Sequence, residues 1–194
     1  MEYAGPSPIT SLQTAIDSLR LDAVGTIPEN MARIPKSKAT MYIVGLEQEG
    51  GKMVDEFLID KYEVSNKEFK AFIDAGGYSN KDYWKFPFYL DNQEISFETA
   101  IKNFVDKTGR TGPANWEAGS YPNGSENHPV TGVSWYEAAA YAAFVKKQLP
   151  TVYHWSIVAE TSRSEFIIPL SNFNGKSTVP VGSSKGFSYF VFMT

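Results

Sequence analysis

Two histidines, His128 and His154, are the side chains of this sequence that could most directly bind a metal or move a proton. They lie 26 positions apart, and neither has a carboxylate at the spacing that metal-binding motifs use. A two-histidine metal site needs a third ligand in a defined geometry, and the sequence signals none. We therefore expect structural roles for both, with His128 and Pro129 forming the turn that enters a strand over Val130 to Trp135.

The sequence contains no cysteine. Disulfides, thiolate metal sites and thiol nucleophiles are therefore excluded within these residues. The glycine-rich motifs that bind nucleotide phosphates and the Gly-x-Ser-x-Gly motif of hydrolases do not occur either. Motifs worked out from the residues alone thus indicate no catalytic class.

The composition is that of an ordinary globular protein. Of the 194 residues, 42% are hydrophobic and 21% are charged, which suits one domain with a substantial core. The net charge of −4 gives no general attraction to phosphate backbones or anionic lipids, so we predict neither nucleic acid nor a membrane as partner. No secretion signal and no run of about 18 apolar residues is visible, which favours a cytoplasmic location.

Four helices are predicted from their capping residues. They begin at Ser65, Ser96, Ser134 and Thr151. Two of these serines are followed three residues later by glutamate, so side chain and backbone can satisfy each other's free hydrogen-bonding groups. The helix after Ser96 is expected to carry its apolar stripe to Val105, with Lys107 near its end and Gly109 just past it. The helix after Thr151 is expected to extend to about Thr161.

Strand signals are shorter and cluster before the first helix. Met41 to Val44 and Val54 to Ile59 are both apolar and β-prone, and the turn-forming Glu49-Gly50-Gly51 lies between them. This pattern predicts a hairpin. Residues 1–30 are dense in Pro and Gly and are interpreted as a linker or the tail of a preceding module.

Two further segments are predicted to be loops. Tyr83 to Phe88 is strongly aromatic, and Gly109 to His128 is rich in Gly, Pro, Asn and Ser. Long irregular segments inside compact domains are uncommon and are often functional. Both segments are therefore candidates for a binding surface.

Three segments taken together resemble the formylglycine-generating enzyme family, whose members are also called sulfatase-modifying factors. Their order and spacing match the family, and the resemblance covers residues 31 to 190. The segments are Phe57 to Phe69 (FLIDKYEVSNKEF), His128 to Ala138 (HPVTGVSWYEA), and Leu149-Pro150-Thr151 followed by Trp155.

The resemblance implies an α+β fold related to C-type lectin folds, with short strands, about four helices and long loops. It is closest to bacterial members and corresponds to the amino-terminal and middle parts of the family domain. The sequence departs from the family pattern at Val191, so we expect residues 31–194 to be a domain that lacks its C-terminal third. Such domains are often fused to other modules, which makes a protein kinase a candidate fused or neighbouring partner.

Active members of the family hold copper with two thiolates and convert a substrate cysteine to formylglycine. Because this sequence has no cysteine, the resemblance implies a non-catalytic domain and no cofactor, with a fragment of such an oxidase as the alternative. The family also binds structural calcium, for which Asn172 and Asn174 are the weakly matching positions. Superfamily members that use histidine-bound iron take those ligands largely from another helical domain.

One departure lies inside a matching segment. Where the family has Glu-Ala-Glu-Trp after Leu-Pro-Thr, this sequence places His154 at the position of the second glutamate. The glutamate would accept a hydrogen bond from the helix N-cap, so we expect a weaker cap here, at a cost of about 1 kcal/mol.

A second alternative is a lectin-like module that binds a ligand or a protein through its loops. The candidate contact residues are Tyr83, Trp84, Phe86, Trp116 and Tyr121. The competing interpretation is that these rings fill a core between the loops, because apolar side chains mostly lie inside.

Overall fold

The computed structural model describes residues 22–40, 51–159, 168–172 and 175–184. Within them four short helices and three pairs of small antiparallel strands surround an aromatic core, which is the α+β architecture that the sequence predicts. The strands β1 to β4 are Met31–Ile34, Ser37–Ala39, Lys52–Val54 and Phe57–Asp60. β1 pairs with β4, and β2 pairs with β3.

These four strands form one ribbon with a break in its middle. Ile34 opposes Phe57 and Ser37 opposes Val54, so the register is the same on both sides of the break. Pro35 lies at the break and has no N–H to donate to a ladder. The hydrogen bonds between the two strands of the ribbon are therefore interrupted at Pro35, while the two segments of the chain stay side by side.

Two expectations for this region are wrong. The predicted strand from Val54 to Ile59 is divided, because it passes the break at Asp55 and Glu56. Its partner is the segment from Met31 to Ala39, where the sequence showed no regular apolar pattern. The candidate strand Met41 to Val44 lies outside the described residues.

The helices α1 to α4 are Asn66–Asp74, Phe97–Ile101, Trp135–Phe144 and Val152–Ala159. Capping boxes are present at Ser65 and Ser134, as predicted. Gly76 follows α1 with a φ of 79°, the left-handed conformation that ends helices. A short 3₁₀ turn, Lys81–Tyr83, comes next, and a second, Ile168–Leu170, lies near the end of the described chain.

The hairpin of β5 (Phe88–Leu90) and β6 (Gln93–Ile95) is not predicted from the sequence. Its two connecting residues, Asp91 and Asn92, have positive φ values of 49° and 62°. These are residue types that tolerate the left-handed conformation which a tight hairpin turn requires. Strands of three residues are too short to show an alternating pattern in the sequence.

α2 is shorter than predicted and ends at Ile101 instead of continuing to Val105. Phe104 leaves the helical path and stacks on Trp84, with ring centroids 5.5 Å apart and planes 9° from parallel. Val105 forms a bridge with Thr111. Packing of Phe104 thus overrides the helical pattern.

The predicted strand from Val130 to Trp135 is also wrong. Pro129 forms a single bridge with Ser65, and the Val130 N–H donates to the Val64 carbonyl at 2.8 Å. Gly132 then turns the chain with a φ of 74°, and Trp135 already begins α3. The described end of α4 at Ala159 lies close to the predicted end, and residues 160–167 are outside the described part.

The main core is an aromatic cluster between α1, α2, α3, β5 and the loops that precede β5 and follow α2. Its buried members are Phe69, Phe72, Tyr78, Trp84, Phe88, Ala100, Trp116 and Ala140. A smaller core joins the ribbon to α4 through Ile34 and Val158. Interlocked rings of this kind bury large apolar areas and add specific edge-to-face contacts.

A buried carboxylate connects α3 to this cluster. Glu137 is 3% exposed, and it accepts hydrogen bonds from the Tyr78 hydroxyl at 2.5 Å and from the Ser134 N–H at 2.6 Å. Burial, followed by the neighbouring Glu137 charge, raises the pKa of Tyr78 above its usual range. Tyr78 therefore stays protonated and remains a hydrogen-bond donor.

Replacing Tyr78 with phenylalanine should destabilise the fold. Tyr78→Phe leaves one oxygen of the buried Glu137 carboxylate without this donor, which should lower the free energy of unfolding by about 1–3 kcal/mol. The matched control is Tyr89→Phe on the 56% exposed Tyr89, with a change within about 0.5 kcal/mol. Urea unfolding measures both, and equal effects would contradict a stabilising role for the pair.

Candidate functional site

Two of the five aromatic residues proposed from the sequence lie in the core. Trp116 is 2% exposed and Trp84 is 8% exposed. Their indole N–H groups donate to protein acceptors, Trp84 to the Gly77 carbonyl at 3.0 Å and Trp116 to the Asn66 side chain at 3.2 Å. Because both side chains are buried and both indole N–H groups are engaged, these indoles present little surface to a ligand.

Tyr83 and Tyr121 are half-buried and pack against the same cluster. The Tyr83 ring contacts Phe72 and Phe144 edge to face, and the Tyr121 ring meets Trp116 at a centroid distance of 5.3 Å. For four of the five residues, the geometry therefore favours the core interpretation.

Phe86 differs from the other four because it is 49% exposed. Its ring meets that of Trp135, which is 55% exposed, at a centroid distance of 4.7 Å and an interplanar angle of 65°. We call these two residues the Phe86–Trp135 pair. Two large rings that share one exposed surface are a stronger sign of a contact site than a single exposed apolar side chain.

Rigid neighbours hold the pair in place. Trp135 is the first residue of α3, whose start is fixed by the Ser134 cap, and its ring packs edge to face on Tyr136. Tyr136 in turn packs on the buried Phe88, at a centroid distance of 4.8 Å. The surface is thus anchored to the core rather than displayed on a free loop.

Sequence reasoning did not single out Trp135 as a contact residue. Helical spacing does not provide the missing signal, because the buried residues of α3 are Glu137, Ala140 and Ala142. Ala142 follows Trp135 by seven residues and therefore lies on nearly the same side of the helix. Trp135 is exposed at the first position of α3, and only the tertiary structure shows this.

The loop that carries Trp116 is organised by Asp106. One carboxylate oxygen accepts from the Thr108 N–H at 2.7 Å and from the Arg110 N–H at 3.0 Å, and the other accepts from the Gly119 N–H at 2.6 Å. Burial acts to raise the pKa of Asp106, but these hydrogen bonds, with Gly119 the largest, outweigh it and lower the pKa to about 2. The carboxylate therefore holds together a segment that has little regular structure.

Each histidine makes a local structural contact. The Nδ1 atom of His128 lies 3.0 Å from the Thr178 hydroxyl. The Thr151 N–H donates to Nδ1 of His154 at 3.3 Å, which is longer than the 2.8 Å of the equivalent bond between Ser65 and Glu68. An imidazole thus replaces the glutamate of the capping box, with the longer bond expected of a weaker cap.

The described residues contain no group of three or more His, Asp and Glu side chains placed to hold a metal ion. Of the two positions considered for calcium, Asn172 donates its side-chain amide to the Ser177 carbonyl at 2.9 Å. Asn174 lies outside the described residues. Within the same part of the chain, no helix has both the length and the apolar character needed to cross a membrane.

Comparison with known proteins gives a consistent family. Residues 29–178 match the model of the sulfatase-modifying factor enzyme 1-like domain. A formylglycine-generating enzyme of Thermomonospora curvata is 34% identical over 127 residues, covering 60% of this chain and 41% of the enzyme.

Two other relatives have different names. A hercynine oxygenase of Mycobacterium tuberculosis is 31% identical over 110 residues, covering 53% of this chain and 23% of the oxygenase. Serine/threonine-protein kinase pkn1 of Chlamydia caviae is 27% identical over 135 residues, covering 66% of this chain and 19% of the kinase. The chain thus spans less than half the length of each of these three relatives.

The depressed pKa of Asp106 predicts a specific acid sensitivity. The folded pKa of about 2 lies below the ordinary 3.8, so the stabilisation is fully present above about pH 4 and is lost as the pH falls through about 2. Asp106→Asn should be less stable than wild type near neutral pH, and the difference should narrow in acid. Urea unfolding from about pH 6 to about pH 2 measures it, and a difference independent of pH would contradict this role.

Proposed function

This chain belongs to the sulfatase-modifying factor enzyme 1-like family, and we propose that in this form it is a non-catalytic module that binds a protein partner. The observation that carries the binding role is the Phe86–Trp135 pair, two exposed rings fixed to the core. Aromatic residues, Trp above all, are enriched among the residues that dominate protein interfaces.

The non-catalytic part of the proposal rests on ligand chemistry. Copper(I) is selected by soft thiolate ligands, and the 194 residues contain no cysteine. The side chains that are present, including both histidines, make structural hydrogen bonds instead. These residues provide no pair of ligands for the copper chemistry that the family resemblance implies.

A signalling module is the partner class that the relatives favour. A protein named as a serine/threonine kinase contains a region similar to this chain, so a domain of this type occurs beside kinase sequence. We extend this association to the present chain and propose a kinase, fused or neighbouring, as the binding partner of the Phe86–Trp135 pair.

The second candidate function is a part of a formylglycine-generating oxidase. It is favoured by the 34% identity to the Thermomonospora curvata enzyme, of which the chain covers 41%. Under this alternative, the thiolates and the remaining structure would come from polypeptide outside these 194 residues.

An activity assay tests whether the chain by itself is non-catalytic. The purified chain, supplied with copper(I), oxygen and a cysteine-containing peptide, should form no aldehyde, because it has no thiolate pair. The Thermomonospora curvata enzyme under the same conditions is the positive control. Aldehyde formation by this chain would overturn the non-catalytic proposal.

If the Phe86–Trp135 pair binds a partner, substitutions in the pair should lower the affinity for that partner without lowering the stability of the fold. Trp135→Ala should weaken binding to the catalytic domain of a kinase encoded with this chain by roughly 30-fold, equivalent to about 2 kcal/mol, as for a central interface residue. Phe86→Ala should act in the same direction. The free energy of unfolding should change little in either variant, because both side chains are about half exposed.

The matched control is Leu90→Ala, on another apolar side chain that is 54% exposed. This substitution should leave the affinity nearly unchanged. Surface plasmon resonance compares the three variants with wild type, and urea unfolding verifies that each is folded. Equal affinities for wild type and Trp135→Ala would contradict the assignment of the pair as a contact surface.

A further inference from the structure

A tight turn at residues 122–125 lies in the loop that precedes α3. The Ser125 N–H closes it by donating to the Pro122 carbonyl at 3.1 Å, and the Ser125 hydroxyl donates to the same oxygen. Gly124, at the third position, has a φ of 84°, whereas Asn123, at the second, is not among the residues with positive φ. This combination defines a type II turn, with an asparagine directly before a glycine at its centre.

The side chain of Asn123 is exposed and unrestrained. Within the described part of the chain, neither its amide group nor the Gly124 N–H takes part in a hydrogen bond. The exposed Asn115 differs, because its amide nitrogen donates to the Thr131 hydroxyl. Among the asparagines of the described residues, Asn123 alone is followed by glycine.

The peptide group between Asn123 and Gly124 can rotate without opening the turn. Type I and type II turns differ mainly in the orientation of this central peptide, and the hydrogen bond that closes the turn joins groups on either side of it. Glycine has no Cβ, so no side chain hinders the approach of its backbone nitrogen to another group. Rotation about the Cα–C bond of Asn123 can therefore bring the Gly124 nitrogen toward Cγ of the Asn123 side chain.

We propose that Asn123 is a site of spontaneous deamidation, with the Gly124 backbone nitrogen as the nucleophile. This nitrogen attacks Cγ of Asn123 and forms a C–N bond. The side-chain nitrogen leaves as ammonia and takes up the proton that Gly124 loses, so a five-membered succinimide ring remains. Water then opens the ring at either of its two carbonyls and gives aspartate or isoaspartate. No electrons are transferred, and water is the only co-reactant.

The isoaspartate product should disturb a chain of contacts that leads into the core. The Ser125 carbonyl accepts a hydrogen bond from the side-chain amide of Asn66 at 2.8 Å, and the side-chain oxygen of Asn66 accepts the Trp116 indole N–H at 3.2 Å. Isoaspartate adds a backbone carbon between residues 123 and 124 and leaves a carboxylate in the turn. The Ser125 carbonyl is thereby displaced from Asn66, which is 6% exposed, and the support of Trp116 is weakened.

Incubation of the folded chain at mildly alkaline pH tests this proposal. The reference chain carries Asn174→Gln, because Asn174 and Gly175 form a second asparagine–glycine pair whose asparagine lies outside the described residues. Peptide mapping by mass spectrometry detects the mass increase that replaces NH₂ by OH, and chromatography separates isoaspartate from aspartate. The matched control adds Asn123→Gln, because the longer side chain must close a six-membered ring and reacts more slowly.

The Asn123 peptide of the reference chain should lose its asparagine form, while the peptide that contains the exposed Asn115 keeps its own. Isoaspartate should be among the products, because only the ring intermediate leads to it. An Asn123 peptide that stays intact would overturn the proposal. Aspartate without isoaspartate would also overturn it, because direct hydrolysis of the side chain by water gives that product alone.

Hydrogen exchange of the Trp116 indole N–H measures the effect on the core. In the reference chain, exchange should become about fivefold faster after incubation, as expected when a hydrogen bond of ordinary net strength is lost. The control with Asn123→Gln should show the same exchange rate before and after. An unchanged rate in a reference chain whose Asn123 has been converted to isoaspartate would contradict the link between the turn and Trp116.

Discussion

The buried carboxylate of Glu137 is the constraint on which the described fold most depends. It closes the capping box of α3 and also accepts the hydroxyl hydrogen bond of Tyr78, which follows α1. A carboxylate at a helix start is favoured by the helix dipole, but at 3% exposure it needs donors for both oxygens. The Tyr78 hydroxyl and the Ser134 N–H supply these two donors. Because both bonds form at once, they fix the position of α3 relative to the segment that follows α1.

This placement divides the aromatic residues into two groups. Side chains that face the junction of α1 and α3 interlock, among them Phe69 and Tyr141, whose rings stack at 5.5 Å. Trp135, at the first position of α3, stays exposed and packs against Phe86. The buried Glu137 fixes the start of the helix that carries Trp135, so a family scaffold with little regular structure can still present a defined surface.

Local chemistry made the helix starts predictable. Caps at Ser65, Ser96 and Ser134 depend on residues three positions apart, and these interactions form wherever the helix lies. The strand pairing was not predictable in the same way, because the register of β1 with β4 joins residues that are far apart in sequence. The early end of α2 likewise depends on the ring stack between Phe104 and Trp84, which no local pattern encodes.

The candidate site shows the same division. Aromatic composition predicted five contact residues, of which Phe86 is exposed and the other four are buried in the core or packed against it. Composition alone does not distinguish an inward from an outward ring. Burial of Trp84 and Trp116 depends on acceptors at Gly77 and Asn66, which are supplied by tertiary structure. Family membership, by contrast, was evident from three segments whose order and spacing survive in this chain.

Hydrogen exchange of the indole N–H groups, monitored by NMR, tests the division between buried and exposed aromatic side chains most directly. We expect slow exchange for Trp84 and Trp116, at rates close to those of global unfolding, because both donate to protein acceptors inside the core. Trp135 should exchange orders of magnitude faster because its side chain is exposed. Exchange of Trp84 or Trp116 as fast as that of Trp135 would contradict the assignment of these rings to the core.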